Sequence, residues 1–289
     1  RGRDRVSRDL PEFNNVIAFS GERGSGKSSA MMSFQNLLKK WQIDKGYEAA
    51  CHLLSGKLRD KENLNFLCLD KVDPSRFEPN DRLTGSILAE LYRQYLQITK
   101  DKAYVSDFER QKRLENAFSN ALRAVQMLGT KTKDAFGTPG TSENEFEILR
   151  RAADAASMRD HFHNLVQAFL RFRFGDTEAA QNSYLVIPID DLDMSIDHAF
   201  ALAEDIRKFL MVPNVVILLA MKMDQLRMAV EQSNFEKFKE YRAATDKQKP
   251  SMGDIERMAN LYLEKLVPAA RIISLPDIGD MHTAKHLRL

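Results

Sequence analysis

At 289 residues the chain has room for one large or two modest domains, and its 43% hydrophobic and 29% charged content excludes a disordered tail or a fibre. Lys plus Arg number 43 against 41 Asp plus Glu, so a net charge of +2 selects neither nucleic acid nor a membrane surface as partner. Two cysteines, Cys51 and Cys68, exclude a disulfide framework; with no CxxC or Cys/His cluster they read as reduced thiols of a cytosolic protein.

In chain order, Arg1-Gly2-Arg3-Asp4-Arg5 has no apolar stretch behind it, so it is not a secretory signal. With no initiator methionine, the chain reads as one that starts inside a longer protein. Val16-Ile17-Ala18-Phe19 is the first strand, short, apolar and bounded by turn residues. A helix is expected over residues 27–41, where Met31, Phe34, Leu38 and Trp41 share a face. Residues 65–69 form a second strand, followed by Asp70, Asp73-Pro74 and Arg76, for which turn chemistry is the simpler reading. Residues 83–98 form a helix with Ile87, Leu88, Leu91 and Tyr95 on one side.

Residues 99–183 show no strand. Helical patterns at 108–128 and 145–174 flank a Gly/Pro/Thr/Ser loop at 129–142, so the whole stretch reads as a helical insertion. Within it, Phe162, Leu165, Phe169 and Phe172 make a core-type stripe. His161 and His163 are too close in sequence to share a helical face, and Arg171 and Arg173 are the candidates for nucleic-acid contact. Tyr184 to Ile189 is the next buried strand. The helix over 196–211, with Ser195 as N-cap, carries Phe200, Leu202, Ile206 and Leu210 inward. Strands follow at 215–220 and 271–275; between them Lys237, Lys239, Arg242, Lys247 and Lys249 read as a solvated loop. The longest apolar run, Val215–Met221, is far short of the roughly 18 residues of a membrane span, so no membrane is expected. Strand alternating with helix gives an α/β protein with a parallel sheet.

Two motifs carry chemistry. Gly21-Glu22-Arg23-Gly24-Ser25-Gly26-Lys27-Ser28 fits GxxxxGK[ST] in full, after a strand and before a helix. Glycines let the backbone wrap a phosphate, and successive N–H groups with the helix N-terminus then face it. Lys27 would reach the β- and γ-phosphates and the Ser28 hydroxyl would ligate Mg²⁺; the nucleotide-binding set runs from Gly21 through Ser29. In Leu185-Val186-Ile187-Pro188-Ile189-Asp190-Asp191-Leu192-Asp193 a strand ends in acids at the sheet edge where such folds bind ligands. Asp190 would hold Mg²⁺ and Asp191 would orient or deprotonate the attacking water, while Asp193 serves equally well as a helix cap.

Together, Gly21 to Ser29 and Ile189-Asp190-Asp191-Leu192-Asp193 resemble the KAP and STAND branches of the AAA+-related P-loop NTPases. The resemblance covers residues 12–98 and 184–276 as two halves of one core, not the insertion at 99–183, and leaves 277–289 as a truncated continuation too short for a helical lid. It implies a five-stranded, mainly parallel sheet of order 5-1-4-3-2, with Asp190 and Asp191 on the strand beside the P-loop strand. It implies ATP and Mg²⁺ as ligands, hydrolysis as the reaction, and Arg271, or else Arg257, as an arginine finger offered to a neighbouring subunit, although a structural ion pair at the strand mouth is the simpler reading of either arginine. Lys222 stands where relatives carry a polar γ-phosphate sensor, a departure that leaves the sensor unassigned. The chain also resembles the ATPases of RADAR anti-phage systems, which implies a defence role, a homo-oligomer (ring or triggered assembly) and an effector protein as partner. A STAND-like switch, or a scaffold with little steady turnover, is the alternative. No Asn-Lys-x-Asp segment is present, which favours ATP over GTP.

Overall fold

Branched apolar runs bounded by polar turns form the strands, and amphipathic segments between them form the covering helices. A computed structural model describes residues 14–40, 64–78, 81–100, 107–128, 157–176, 181–192, 196–244 and 251–276. The order is β1 (Val16–Ser20), α1 (Lys27–Lys40), β2 (Asn65–Cys68), α2 (Leu83–Lys100), α3 (Phe108–Leu128), α4 (Met158–Phe174), β3 (Ser183–Asp190), α5 (Ile196–Asp205), β4 (Val215–Met221), α6 (Met223–Ala244), α7 (Met252–Leu266) and β5 (Ile272–Ser274). The five strands form one sheet in the order β2-β3-β4-β1-β5, and every pairing is parallel. This is the expected 5-1-4-3-2 order read from the other edge. One detail is corrected: β4 lies between β1 and β3, so the Asp190 strand is not beside the P-loop strand.

Alternation of side chains divides the core between the two faces. Val16, Ala18, Leu185, Ile187, Ile189, Ile217 and Leu219 face a large cluster that includes Leu83, Ile87 and Leu91 of α2, Phe118 of α3, and Phe162 and Phe169 of α4. Phe19, Cys68, Val186, Leu218 and Ala220 face the other way and pack on Met31, Phe34 and Leu38 of α1. Gln35 is also buried on that side, where its Nε2 donates to the Leu69 carbonyl at 2.6 Å.

The insertion packs directly on the core. Phe118 meets Phe169 edge-on (centroids 6.2 Å), and Tyr95 of α2 contacts both Phe118 and Phe172. The stripe of Phe162, Leu165, Phe169 and Phe172 therefore does core work, with Phe162, Leu165 and Phe169 fully covered. The expected helix at 196–211 ends in a π turn over Ile206–Leu210, closed by the Met211 N–H donating to the Ile206 carbonyl at 3.2 Å.

Two further expectations are corrected. Lys237, Lys239 and Arg242 lie on α6, not in a loop, and Lys237 stands 4.3 Å from the centre of the Phe200 ring. The fifth strand is only three residues long and largely exposed at the sheet edge; Arg271 belongs to a 3₁₀ turn ahead of it. The residues read as Ser195, Trp41, Cys51, Lys247 and Lys249, the loop at 129–142, helical residues 145–156, and 277–289 lie outside the described residues. Among the described residues no helix is long and apolar enough to cross a membrane.

Candidate functional site

Parallel strands send all their C-terminal ends to one edge of the sheet. Register there pairs Ser20 with Met221 and Asp190 with Ala220, so the turns after β1, β3 and β4 leave the sheet side by side.

The turn after β1 has the geometry its glycines demand. Gly24 and Gly26 both sit at φ 86°, a region costly for any residue with a Cβ. A Cβ on Gly21 would stand 2.5 Å from Ser25 Oγ and 3.2 Å from the Leu275 carbonyl, which packs there because the Leu275 N–H donates to the Ser20 carbonyl at 2.7 Å. The Ser25 N–H donates to the Glu22 carbonyl at 3.1 Å, and α1 begins with the Ala30 N–H on the Gly26 carbonyl at 2.8 Å. The first-turn amides of α1 therefore have no intrahelical partners, and no acid stands in that turn to compete for them.

These features fit a phosphate cradle. Ser25 Oγ is buried without a hydrogen-bond partner among the described residues, an orphan of the kind a ligand oxygen satisfies. Lys27 spans the loop, its Nζ donating to the carbonyls of Gly21 and Glu22 at 2.9 Å each. Glu22, Arg23 and Ser29 are exposed on the same loop and helix start.

Ser28 and Asp190, 162 residues apart, meet: Ser28 Oγ donates to Asp190 Oδ1 at 2.7 Å, and Asp190 is only 2% exposed. One hydroxyl and one carboxylate are too few to make a cation site alone. They suit Mg²⁺, which keeps water and takes phosphate oxygens beside one or two carboxylates. Asp191 follows with φ 52°, its N–H donating to the Ala220 carbonyl at 3.0 Å. Aspartate tolerates this left-handed backbone better than most residues, and the bend takes Asp191 out of the strand's alternation. Asp193 lies outside the described residues.

Sequence reasoning missed Lys71. Its Nζ donates to Asp190 Oδ2 at 2.7 Å, so both carboxylate oxygens are engaged. The chain after β2 is held against β3, with the Val72 N–H on the Pro188 carbonyl and the Asp190 N–H on the Val72 carbonyl, both 2.9 Å. That pins Lys71 beside the acid. The Asp190 hydrogen bond holds the Lys71 ammonium above the usual lysine range against the opposing effect of burial, and the charges of Asp190, Asp73 and Asp191 add to it. A lysine following a strand at this edge was the only available signal.

Other candidates fall into place. Lys222, just past β4, pairs with Glu22 of the loop at 2.6 Å, which ties the sensor position to the cradle. Asp70 pairs with Arg93, and Asp73 caps the turn at Pro74–Arg76 by accepting the Ser75 N–H at 3.1 Å. Arg271 is not brought to the cradle. Ala18 pairs with Ile272, so Arg271 lies toward the opposite edge of the sheet, exposed, with Nη1 3.4 Å from Asn14 Oδ1. Arg257 is exposed on α7.

A parallel sheet of this order, a glycine-rich turn after β1 and an acid closing β3 define a P-loop NTPase fold. The chain belongs to the KAP family of P-loop NTPases: the model of the KAP family P-loop domain matches residues 11–243, more than half of it, and spans the insertion as well. No curated protein matches the chain.

Proposed function

We propose that this domain binds ATP with Mg²⁺ and hydrolyses it, as part of an oligomer serving anti-phage defence. The observation that carries the catalytic part is the Ser28–Asp190 hydrogen bond, which joins the two halves of the phosphate site, with Asp191 next in the chain.

Bound Mg²⁺ would supply charge neutralisation on the phosphates, with Ser28 and Asp190 as its protein oxygens. The loop amides and Lys27 bind and orient the phosphate chain. Asp191 accepts a proton from the water that attacks the γ-phosphorus, and the β–γ bridging oxygen leaves with the bond's electron pair. Orientation and charge stabilisation supply most of the rate. The defence role and the oligomer rest on the resemblance to RADAR-type ATPases; Arg271, at the far edge, would serve only a neighbouring subunit's nucleotide.

A second reading, a nucleotide switch with little steady turnover, draws support from Lys71: an ammonium on Asp190 Oδ2 competes for the carboxylate that the metal would use. ATP turnover measured against protein concentration, with Asp191→Asn as control, separates the two. Activity per molecule that rises with concentration and disappears in the variant supports the assembling ATPase. Tight ATP binding with negligible turnover at every concentration sinks it and leaves the switch.

A further inference from the structure

On the other side of the molecule from the cradle, α3 and α4 leave a groove of about 730 Å³ between them. The two helices run antiparallel, since Arg110 meets Asp176 at one end and Phe118 meets Phe169 midway. They pack through one apolar seam and present a polar flank beside it. On α3 that flank is Arg110, Arg113, Ala117 and Asn120, at spacings of three and four. On α4 the same spacing gives Asn164, Ala168 and Arg171. Ala117 and Ala168, both partly covered, are the short side chains that leave space in the middle.

The lining is cationic and rich in amides. It carries three guanidiniums against one carboxylate, Asp176, and that one is already paired with Arg110 at 3.1 Å. Arg113 and Arg171 are exposed and have no ion-pair partner among the described residues. The inner end is rigid: Gln167 Nε2 donates to Asn214 Oδ1 at 3.1 Å, and Asn214 Nδ2 donates to the Ser183 carbonyl at 2.8 Å. Asn214 precedes β4, so the groove opens at the N-terminal edge of the sheet, about 20 Å along β4 from the cradle.

We propose that this groove is a second site, for a nucleotide, distinct from the glycine-rich loop. Planar guanidiniums match phosphate oxygens in paired hydrogen bonds. Amide side chains such as Asn120 and Asn164 offer both the donors and the acceptors that a base edge needs. The volume lies within the range of small-molecule sites, roughly 300–1,000 Å³. The lining also holds His161 and His163, but these are too close in sequence to share a helical face, and the one carboxylate, Asp176, is paired with Arg110; among the described residues no group of three such ligands gathers to hold a metal ion.

Titration calorimetry with ADP on the whole chain tests this by counting sites. Two sites are expected in the native chain; in Lys27→Ala the loop site should weaken roughly ten- to a hundredfold while the other keeps its native affinity, and that unweakened site is the one counted as remaining. Adding Arg113→Ala and Arg171→Ala to Lys27→Ala should weaken the remaining site at least tenfold. Those two arginine changes alone should leave the Lys27-dependent site intact, and both residues are exposed enough to keep the fold. The proposal is overturned if a folded Lys27→Ala chain binds no ADP, or if its residual binding ignores the arginine changes. It is also overturned if ADP fails while a short single-stranded RNA binds in an arginine-dependent way, which would make the groove a strand-binding surface.

Discussion

Lys71 and Asp190 lie 119 residues apart in the chain and 2.7 Å apart in space, and their pairing places a fixed positive charge on the acid that would hold the metal. The Lys71 side chain is 37% exposed while that of Asp190 is 2%, so solvent screens one end of the pair and not the other. Breaking a fully buried pair costs about 3–5 kcal/mol and an exposed one about 0–1 kcal/mol; here the partner left behind is the buried one, with Ser28 still donating to it, so the cost should fall between these limits.

Lys71→Met should therefore fold with a lowered melting temperature while freeing Asp190 Oδ2. The Mg²⁺ concentration needed for half-maximal nucleotide binding is expected to fall several-fold, measured by fluorescence titration of a labelled ATP analogue. An unchanged Mg²⁺ requirement would show that the lysine and the metal do not compete.

Gly26→Ala should impair the loop without crowding it. Nothing lies within 4 Å of a Cβ built there, so the penalty comes from φ 86° alone, about 1–2 kcal/mol. Nucleotide affinity is expected to drop roughly five- to thirtyfold if that strain is released on leaving the binding conformation. Gly21→Ala differs in kind, because its Cβ would press on a backbone carbonyl and disturb the β1–β5 junction as well.

Lys27→Ala removes a charged donor to phosphate, an interaction worth about 1.5–3 kcal/mol, so affinity at the loop should fall roughly ten- to a hundredfold. Asp191→Asn should leave affinity nearly unchanged and abolish turnover. Asparagine accepts the same left-handed backbone, so the comparison isolates the carboxylate.

Burial pushes the Cys68 thiol up to about 11, with Lys39 opposing. Near pH 8 it should hold roughly a hundredfold less thiolate than an ordinary cysteine, and iodoacetamide should label its peptide slowly until denaturant is added. The native state keeps this proton longer than the unfolded chain does. Its contribution to stability is therefore full below about pH 9 and is lost as pH rises toward 11. Prompt native labelling would contradict the burial.

Phe118→Ala tests whether the insertion is integral. The ring is 7% exposed and touches Tyr92, Tyr95 and Phe169, so about 3–5 kcal/mol should be lost. A single cooperative melt shifted downward is expected; an unshifted sheet transition with early loss of α3 would mean the insertion folds apart.

Much of the fold was legible because it is written in local patterns. The strand at Val16–Ser20, the glycine turn and the helix at Leu83–Lys100 are each set by neighbours in sequence. The last strand was legible as well, at Ile272–Ser274 within the expected 271–275; only its ends were not, because Arg271 falls in the 3₁₀ turn ahead of it. The helix at Met223–Ala244 misled: its charged outer turns hide Leu226, Ala229 and Val230, which are the residues that bury it. Ser28 and Asp190 could be assigned from motifs, but Lys71 could not. What brings it to Asp190 is a run of backbone hydrogen bonds beyond β2, a tertiary relation that no local spacing encodes.

The buried Gln35 links these parts mechanically. It sits two turns along the helix whose N-terminus closes the cradle, and its amide grips the Leu69 carbonyl, two residues before Lys71. A tilt or slide of α1 as phosphate seats against its first turn would pull on that carbonyl. The helix would then act as a lever, with the sheet as its fulcrum. A phosphate at one end and the Lys71 ammonium on Asp190 at the other would not need to touch in order to be coupled.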